Sequence, residues 1–223
     1  MRVSEKSLEI NFCSQWARLS SRAVVWFGLT QKQEADWGFD VATRLGGRLI
    51  AFQMKAPTRD LAACPHAKQF QLPHHQLSSL QALLTHHRRP RIVFYALPLL
   101  RTTAELQAAS GAVLASTMLL DVSAIPSLPA PTTARGTPRK SGVHYLDVWH
   151  GGATIHSEPV DVRVSEAVEL LRELDDQEGQ VGVAPEDSAA QGLVRGLARV
   201  MRREGSIARQ RTGSWLGAVI LPQ

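Results

Sequence analysis

The chain has 223 residues, of which 44% are hydrophobic and 20% charged, enough for one large domain or for a domain with an extension. Its net charge of +5 favours a polyanionic partner. Cys13 and Cys64 are the two cysteines, which argues against a disulfide framework and is typical of a reducing compartment. The N-terminus lacks the apolar segment of a signal peptide, and no apolar run approaches the ~18 residues of a transmembrane helix. We therefore expect a cytoplasmic protein with no membrane partner.

A helix over residues 4–20 is the first predicted element. Ser4 is a suitable N-cap, and apolar side chains recur at helical spacing from there through Trp16 to Leu19. A strand over residues 22–30 follows, because its middle is an apolar run. The helix and the strand lead directly into the stretch of the chain that carries most of the chemistry.

Residues 38–55 predict a β-hairpin that turns at the glycine pair 46–47. A tight turn there places Asp40 directly opposite Gln53. Lys55 lies two residues beyond Gln53 and therefore points the same way. The other face of the second strand carries Ile50, Phe52 and Met54. The hairpin thus predicts a carboxylate, an amide and an ammonium together on one patch of an otherwise apolar sheet, where burial without a reason is costly.

The next segments alternate between helical and strand patterns. We expect a loop over residues 58–69, a helix over 73–87, a strand over 91–100, a short helix over 103–109 and a strand over 117–122. Four prolines make residues 123–142 a surface connection.

The last part predicts a second hairpin, formed by residues 143–149 and 153–164 around the glycine pair 151–152. Ser165 is then predicted to cap a helix through Leu174, followed by a loop over residues 177–187. A basic helix over 189–205 and a final apolar segment over 215–221 complete the chain.

The order helix, strand, hairpin, helix, strand predicts an α/β fold with a mixed central sheet flanked by helices. We divide the chain into a core over residues 1–122, a proline-rich connection over 123–142 and a C-terminal α+β extension over 143–223. No internal repeat is present.

The polar patch suits a hard cation. Carboxylate and carbonyl oxygens are the ligands that Mg²⁺ takes, and it keeps several waters. A metal at Asp40 would polarise a phosphoryl oxygen and acidify a bound water. Lys55 could orient or deprotonate that water, or offset charge on the phosphorane. Glu9 could reach the metal, directly or through water, if the first helix packs over the sheet face.

Three motifs together resemble the PD-(D/E)xK nuclease superfamily: Glu9 in the first helix, Gly38-Phe39-Asp40, and Phe52-Gln53-Met54-Lys55. Within that superfamily, the sequence resembles the motif variant of the Mrr-like restriction endonucleases, in which Gln replaces the middle acid. The resemblance covers roughly residues 4–100 and implies a restriction-endonuclease-like fold.

The resemblance implies hydrolysis of DNA phosphodiester bonds with Mg²⁺, or with Mn²⁺ in its place, in genome or anti-phage defence. It makes Asp40, Gln53 and Glu9 the metal-site residues and Lys55 the catalytic lysine. Glu5, one turn from Glu9, is a rival for the helical acid. Cleavage of both strands would need two sites, so a homodimer or a larger defence complex is expected.

Seven arginines are the predicted phosphate contacts, which would make binding steeply salt-dependent without conferring sequence specificity. They are Arg88, Arg89, Arg91, Arg195, Arg199, Arg202 and Arg203. The plain alternative is a solvated basic face. DNA is the expected substrate, and no residue excludes RNA, since nothing reads a 2′-hydroxyl.

Other interpretations remain open on the sequence. The hairpin trio could be a solvated Asp–Lys pair contributing ~0–1 kcal/mol. The chain could instead be a catalytically weak or inactive nucleic-acid-binding or assembly subunit, or a regulator whose basic faces meet an acidic protein. The histidines around Cys64 lack the spacing of a zinc site.

Overall fold

The computed structural model describes residues 1–223 except 22, 31–32, 35–36, 46–47, 63, 65, 86–90, 132–141, 158, 181–217 and 221–223. The helices are α1 (Glu5–Leu19), α2 (His74–Thr85), α3 (Thr103–Ala108) and α4 (Ala167–Gln180), with a 3-10 turn at Val122–Ala124. The first strands are β1 (Val25–Gly28), β2 (Val41–Leu45), β3 (Arg48–Met54), β4 (Arg59–Asp60), β5 (Lys68–Pro73) and β6 (Arg91–Pro98). The remaining strands are β7 (Thr117–Asp121), β8 (Val143–Trp149), β9 (Gly152–Ile155), β10 (Val160–Val162), β11 (Ser165–Glu166) and β12 (Ala218–Ile220).

The strands form two sheets. A seven-stranded sheet has the order β11-β7-β6-β3-β2-β1-β12, and a five-stranded sheet has the order β10-β9-β8-β5-β4. Strand β3 is central in the larger sheet, antiparallel to β2 and parallel to β6. The parallel pair needs a crossover, which runs through β4, β5 and α2. The chain is therefore a mixed α/β protein, and the helix, strand, hairpin, helix, strand order is present.

Helix α1 begins as its sequence predicts. The hydroxyl of Ser4 accepts a hydrogen bond from the amide of Ser7, which satisfies one of the first orphan donors of the helix. At the other end, the amide of Ser20 donates to the carbonyl of Trp16. The apolar stripe of the helix is buried against the larger sheet, so its first turn has a fixed position relative to the hairpin.

Both faces of β3 are buried. Phe52 packs on one face within an aromatic cluster in which its ring centroid lies 5.2 to 6.0 Å from four neighbouring rings. Helices α1 and α4 cover that face. Ala51, on the other face, packs with apolar residues of α2 and of the five-stranded sheet. A second sheet thus covers the side where the sequence predicts only helices.

Three local predictions were wrong. Residues 58–69 are not a simple loop, because β4 and the start of β5 lie there and pair with each other. Ser165 does not cap a helix, since Ser165 and Glu166 pair with β7 instead and α4 begins at Ala167. Helix α4 also continues to Gln180, through the start of the predicted loop. In the first two cases, pairing with a distant strand overrides the local signal, because β5 pairs with β8 and β11 pairs with β7.

Strands from both sides of residues 123–142 share the two sheets. Strand β8 pairs with β5, and β11 pairs with β7. The final apolar segment contributes β12, which pairs with β1 at the edge of the larger sheet. The division of the chain into three parts stays a prediction. Over the described ranges, no helix has the length and apolar character needed to cross a bilayer.

Candidate functional site

The hairpin has the predicted register. Leu45 pairs with Arg48 and Val41 with Phe52, as a two-residue turn requires. The amide of Asp40 donates to the carbonyl of Phe52 at 3.0 Å, so Asp40 lies at the start of β2 opposite the end of β3. Ladder pairing therefore brings the predicted acid beside the predicted amide.

The carboxylate of Asp40 is held from one side. Its Oδ2 accepts a hydrogen bond from Nε2 of Gln53 at 2.8 Å and another from the backbone amide of Met54 at 2.7 Å. Burial raises the pKa of Asp40 to about 6. The Met54 amide and the charge of Lys55 act to lower that pKa, while the negative charges of Glu9 and Glu5 raise it further. Such a carboxyl exchanges its proton closer to neutral pH than an exposed aspartate does.

Gln53 has a buried acceptor without a partner. Its Nε2 donates to Asp40 Oδ2 and to the carbonyl of Met54 at 3.0 Å. Because both partners accept, the amide nitrogen must lie on that side, and the orientation of the side chain is determined. Its Oε1 is buried and makes no hydrogen bond within the described structure. A buried acceptor left unpaired costs about 1–3 kcal/mol, so it calls for an explanation.

The orphaned oxygen fits a hard cation. A carbonyl oxygen of Gln53 and the carboxylate of Asp40 are both ligands that Mg²⁺ accepts, and it needs few of them because it retains waters. Over the ranges that the structure describes, no three His, Cys, Asp or Glu side chains are grouped closely enough to hold a metal by themselves. Any ion here would therefore depend on Gln53 and on water as well as on Asp40.

Lys55 is one of two buried lysines in the described chain, at 8% exposure, and Lys68 is the other, at 6%. Lys68 is fully paired, with its ammonium 2.6 Å from Asp60 and 2.8 Å from Glu105. The ammonium of Lys55 has a looser neighbour, the half-exposed carboxylate of Glu5 at 3.8 Å. Since burying an ammonium without close partners is unfavourable, packing alone does not account for Lys55.

The two acids of α1 have different partners. Glu5 lies 3.8 Å from the Lys55 ammonium and accepts a hydrogen bond from the backbone amide of Ala56 at 3.3 Å. Glu9 instead accepts two hydrogen bonds from Lys6, one on each oxygen, at 2.8 Å. Helix α1 packs on the Phe52 face of β3, and its first turn reaches Lys55 through Glu5. The charge of Glu9 acts on Asp40, and a role for Glu9 at the metal stays a prediction.

Two charged residues at this site were missed by sequence reasoning. The ammonium of Lys6 is the first. The second is Glu34, where burial raises the pKa, Lys6 acts to lower it and Glu9 raises it again. Glu34 precedes the hairpin within a polar stretch that carries no periodic signal. The charge of Glu34 comes close to Lys6 and Glu9 through the packing of α1 against the sheet.

None of the seven arginine side chains predicted to contact phosphate is among the side chains that the structure describes. Arg88, Arg89, Arg195, Arg199, Arg202 and Arg203 lie outside the described residues. Arg91 begins β6 and pairs with Leu49, but its side chain is not described. All seven therefore stay predictions.

Comparisons with family models, with curated proteins and with solved structures find no match to this chain. The geometry of the hairpin end is thus the basis for a functional argument.

Proposed function

We propose that this chain is a Mg²⁺-dependent nuclease of restriction-endonuclease-like fold that hydrolyses DNA phosphodiester bonds, in genome or anti-phage defence, with Mn²⁺ as a substitute ion. The observation that carries the proposal is the unpartnered Oε1 of Gln53 beside the carboxylate of Asp40. A loosely paired, buried Lys55 follows two residues later. Oxygen ligands for a metal ion, with a lysine beside them, can together activate a water and stabilise the charge that develops in phosphodiester hydrolysis.

Asp40 and Gln53 would hold the metal, with Glu9 contributing through water. The ion would polarise a phosphoryl oxygen and lower the pKa of a bound water. Asp40 offers Oδ1, because Oδ2 is already used by Gln53 and Met54. The parallel ladder fixes the main chain at Lys55, whose amide donates to the carbonyl of Ala96 at 3.0 Å. From there the ammonium would orient the attacking water or offset charge on the phosphorane.

A second function is favoured by a specific observation. Both oxygens of Glu9 are bound by Lys6, and the described residues contain no group of three His, Cys, Asp or Glu side chains placed to hold a metal. Such a chain could serve as a nucleic-acid-binding or assembly subunit of a larger defence complex. DNA binding would then depend on the arginines and not on the hairpin.

The test is cleavage of plasmid and linear DNA in Mg²⁺ or Mn²⁺ by wild type, Asp40→Ala and Lys55→Ala. Lys68→Ala is the matched control, because Lys68 is equally buried but paired in the other sheet. The nuclease proposal expects metal-dependent nicking that both site variants lose and the folded control keeps. Absence of cleavage by wild type, together with DNA binding that falls with salt and with charge reversal at Arg199 and Arg202, would support the binding subunit.

A further inference from the structure

The ammonium of Lys6 binds both carboxylate oxygens of Glu9. It lies 2.8 Å from each of the two oxygens, so neither is left without a charged donor. The side chains differ in burial: Lys6 is 63% exposed and Glu9 only 11%. A largely exposed ammonium therefore covers a carboxylate that is itself mostly buried.

The ammonium of Lys6 also faces acids from other elements. Burial acts to lower its pKa, but the hydrogen bond to Glu9 and the charges of Glu9, Glu34 and Asp40 outweigh that effect and raise the pKa. Those acids come from α1, from the segment before the hairpin and from the start of β2. Three elements thus direct negative charge at one ammonium.

We propose that the Lys6 ammonium balances the negative charge of this site. A divalent ion then interacts with the carboxylate of Glu9 only when it displaces that ammonium. The inference rests on the proposed function, since it concerns the same metal. It makes Lys6 a positioning residue that sets the metal affinity.

Displacement is physically easy. A pair in which one partner is largely exposed contributes little net free energy, because water screens it and the long side chain gains freedom on release. A bound dication would also repel a fixed ammonium at short range. The ordinary alternative is a helix-surface pair of an i, i+3 kind, which would stabilise α1 slightly and leave the metal unaffected.

The test measures Mn²⁺ binding to the metal-free full chain without DNA, by the loss of the free-ion EPR signal on titration at pH 7. Lys6→Met keeps the aliphatic stem and removes the charge. We expect its Mn²⁺ dissociation constant to be about three- to tenfold lower than that of wild type. Lys6→Arg keeps the charge and the two donors and should bind Mn²⁺ as wild type does.

Two further variants separate a local effect from a general one. Arg59→Met removes an exposed positive charge from β4 in the other sheet and should leave the affinity unchanged. Adding Glu9→Gln to Lys6→Met should abolish the gain, because the released carboxylate is then absent.

The outcomes distinguish the two proposals. If wild type and Lys6→Met bind Mn²⁺ equally, and Asp40→Asn weakens both, the metal site stands and the role of Lys6 is overturned. If neither protein binds Mn²⁺ at millimolar concentration while circular dichroism shows both folded, the proposed function and this inference both fail.

Discussion

Nε2 of Gln53 donates to Oδ2 of Asp40 at 2.8 Å across the ends of two paired strands, and the opposite oxygen of the same amide has no partner. The amide therefore does two things at once. It shields one oxygen of a buried carboxylate and presents a free carbonyl oxygen at the same place. A glutamate at position 53 could offer the oxygen but not the hydrogen bond.

Replacing Gln53 by Glu tests this relationship. The change removes a donor from Asp40 and puts a second carboxylate beside it, where like charges repel. Without metal, we expect the free energy of unfolding to fall by about 2–4 kcal/mol at pH 7. Millimolar Mn²⁺ should raise the free energy of unfolding of this variant by more than it raises that of wild type, as measured by urea unfolding. Gln53→Met is the control, since it removes the hydrogen bonds without adding charge. A variant that Mn²⁺ does not rescue would contradict the proposed ligand role.

Asp40 predicts a pH dependence of stability. Burial raises its pKa from 3.8 to about 6 in the folded chain. Between those values the unfolded chain releases the proton and the folded chain keeps it. Stability should therefore fall as the pH rises from about 4 to about 6, and stay lower above that range, by at most about 3 kcal/mol.

Asp40→Asn removes this titration and keeps an acceptor for the same two donors. We expect the variant to be more stable than wild type at pH 7 and similar to it near pH 4. The check is urea unfolding of metal-free protein at several pH values, comparing the two proteins at each. A difference that does not change with pH would show that Asp40 titrates normally.

The two buried lysines should respond differently to removal. Lys68 has close carboxylates in Asp60 and Glu105, so Lys68→Met should lower the free energy of unfolding by about 1–3 kcal/mol. Lys55 has only a loose carboxylate neighbour among the described residues, so Lys55→Met should change stability by less than about 1 kcal/mol. Urea unfolding of both variants in the same buffer gives the comparison. An equal loss would mean that Lys55 has a structural role like that of Lys68.

Gly38 controls the approach to Asp40. Its φ is +81°, and a Cβ added at this position would lie 3.3 Å from the carbonyl oxygen of Gln76 and 3.3 Å from the side chain of Leu80. Gly38→Ala should therefore lower the free energy of unfolding by about 1–2 kcal/mol through backbone strain, and by more through these contacts. The same variant should bind Mn²⁺ more weakly. Gly151→Ala is the matched control, with φ +84° and no atom within 4 Å of its Cβ. Equal losses in the two variants would show that the contacts with α2 are unimportant.

Much of the hairpin was decided locally. The glycine pair after Leu45 and the alternation of polar and apolar residues determine the register, because a one-residue slip would turn every side chain to the other face. The same holds for the start of α1, where Ser4 supplies the cap. These features depend on neighbours within a few residues, so a pattern in the chain is sufficient to predict them.

The environment of the site was decided elsewhere. The sequence alone favours Glu9 as the helical acid, but the packing of α1 on the Phe52 face of β3 leaves Glu9 with Lys6 and places Glu5 beside Lys55. The raised pKa of Asp40 and the orphaned oxygen of Gln53 likewise follow from burial. Spacing along the chain predicts which groups share a strand face. How far water is excluded and which charges meet depends on distant segments packed together, and only the tertiary structure brings these into contact.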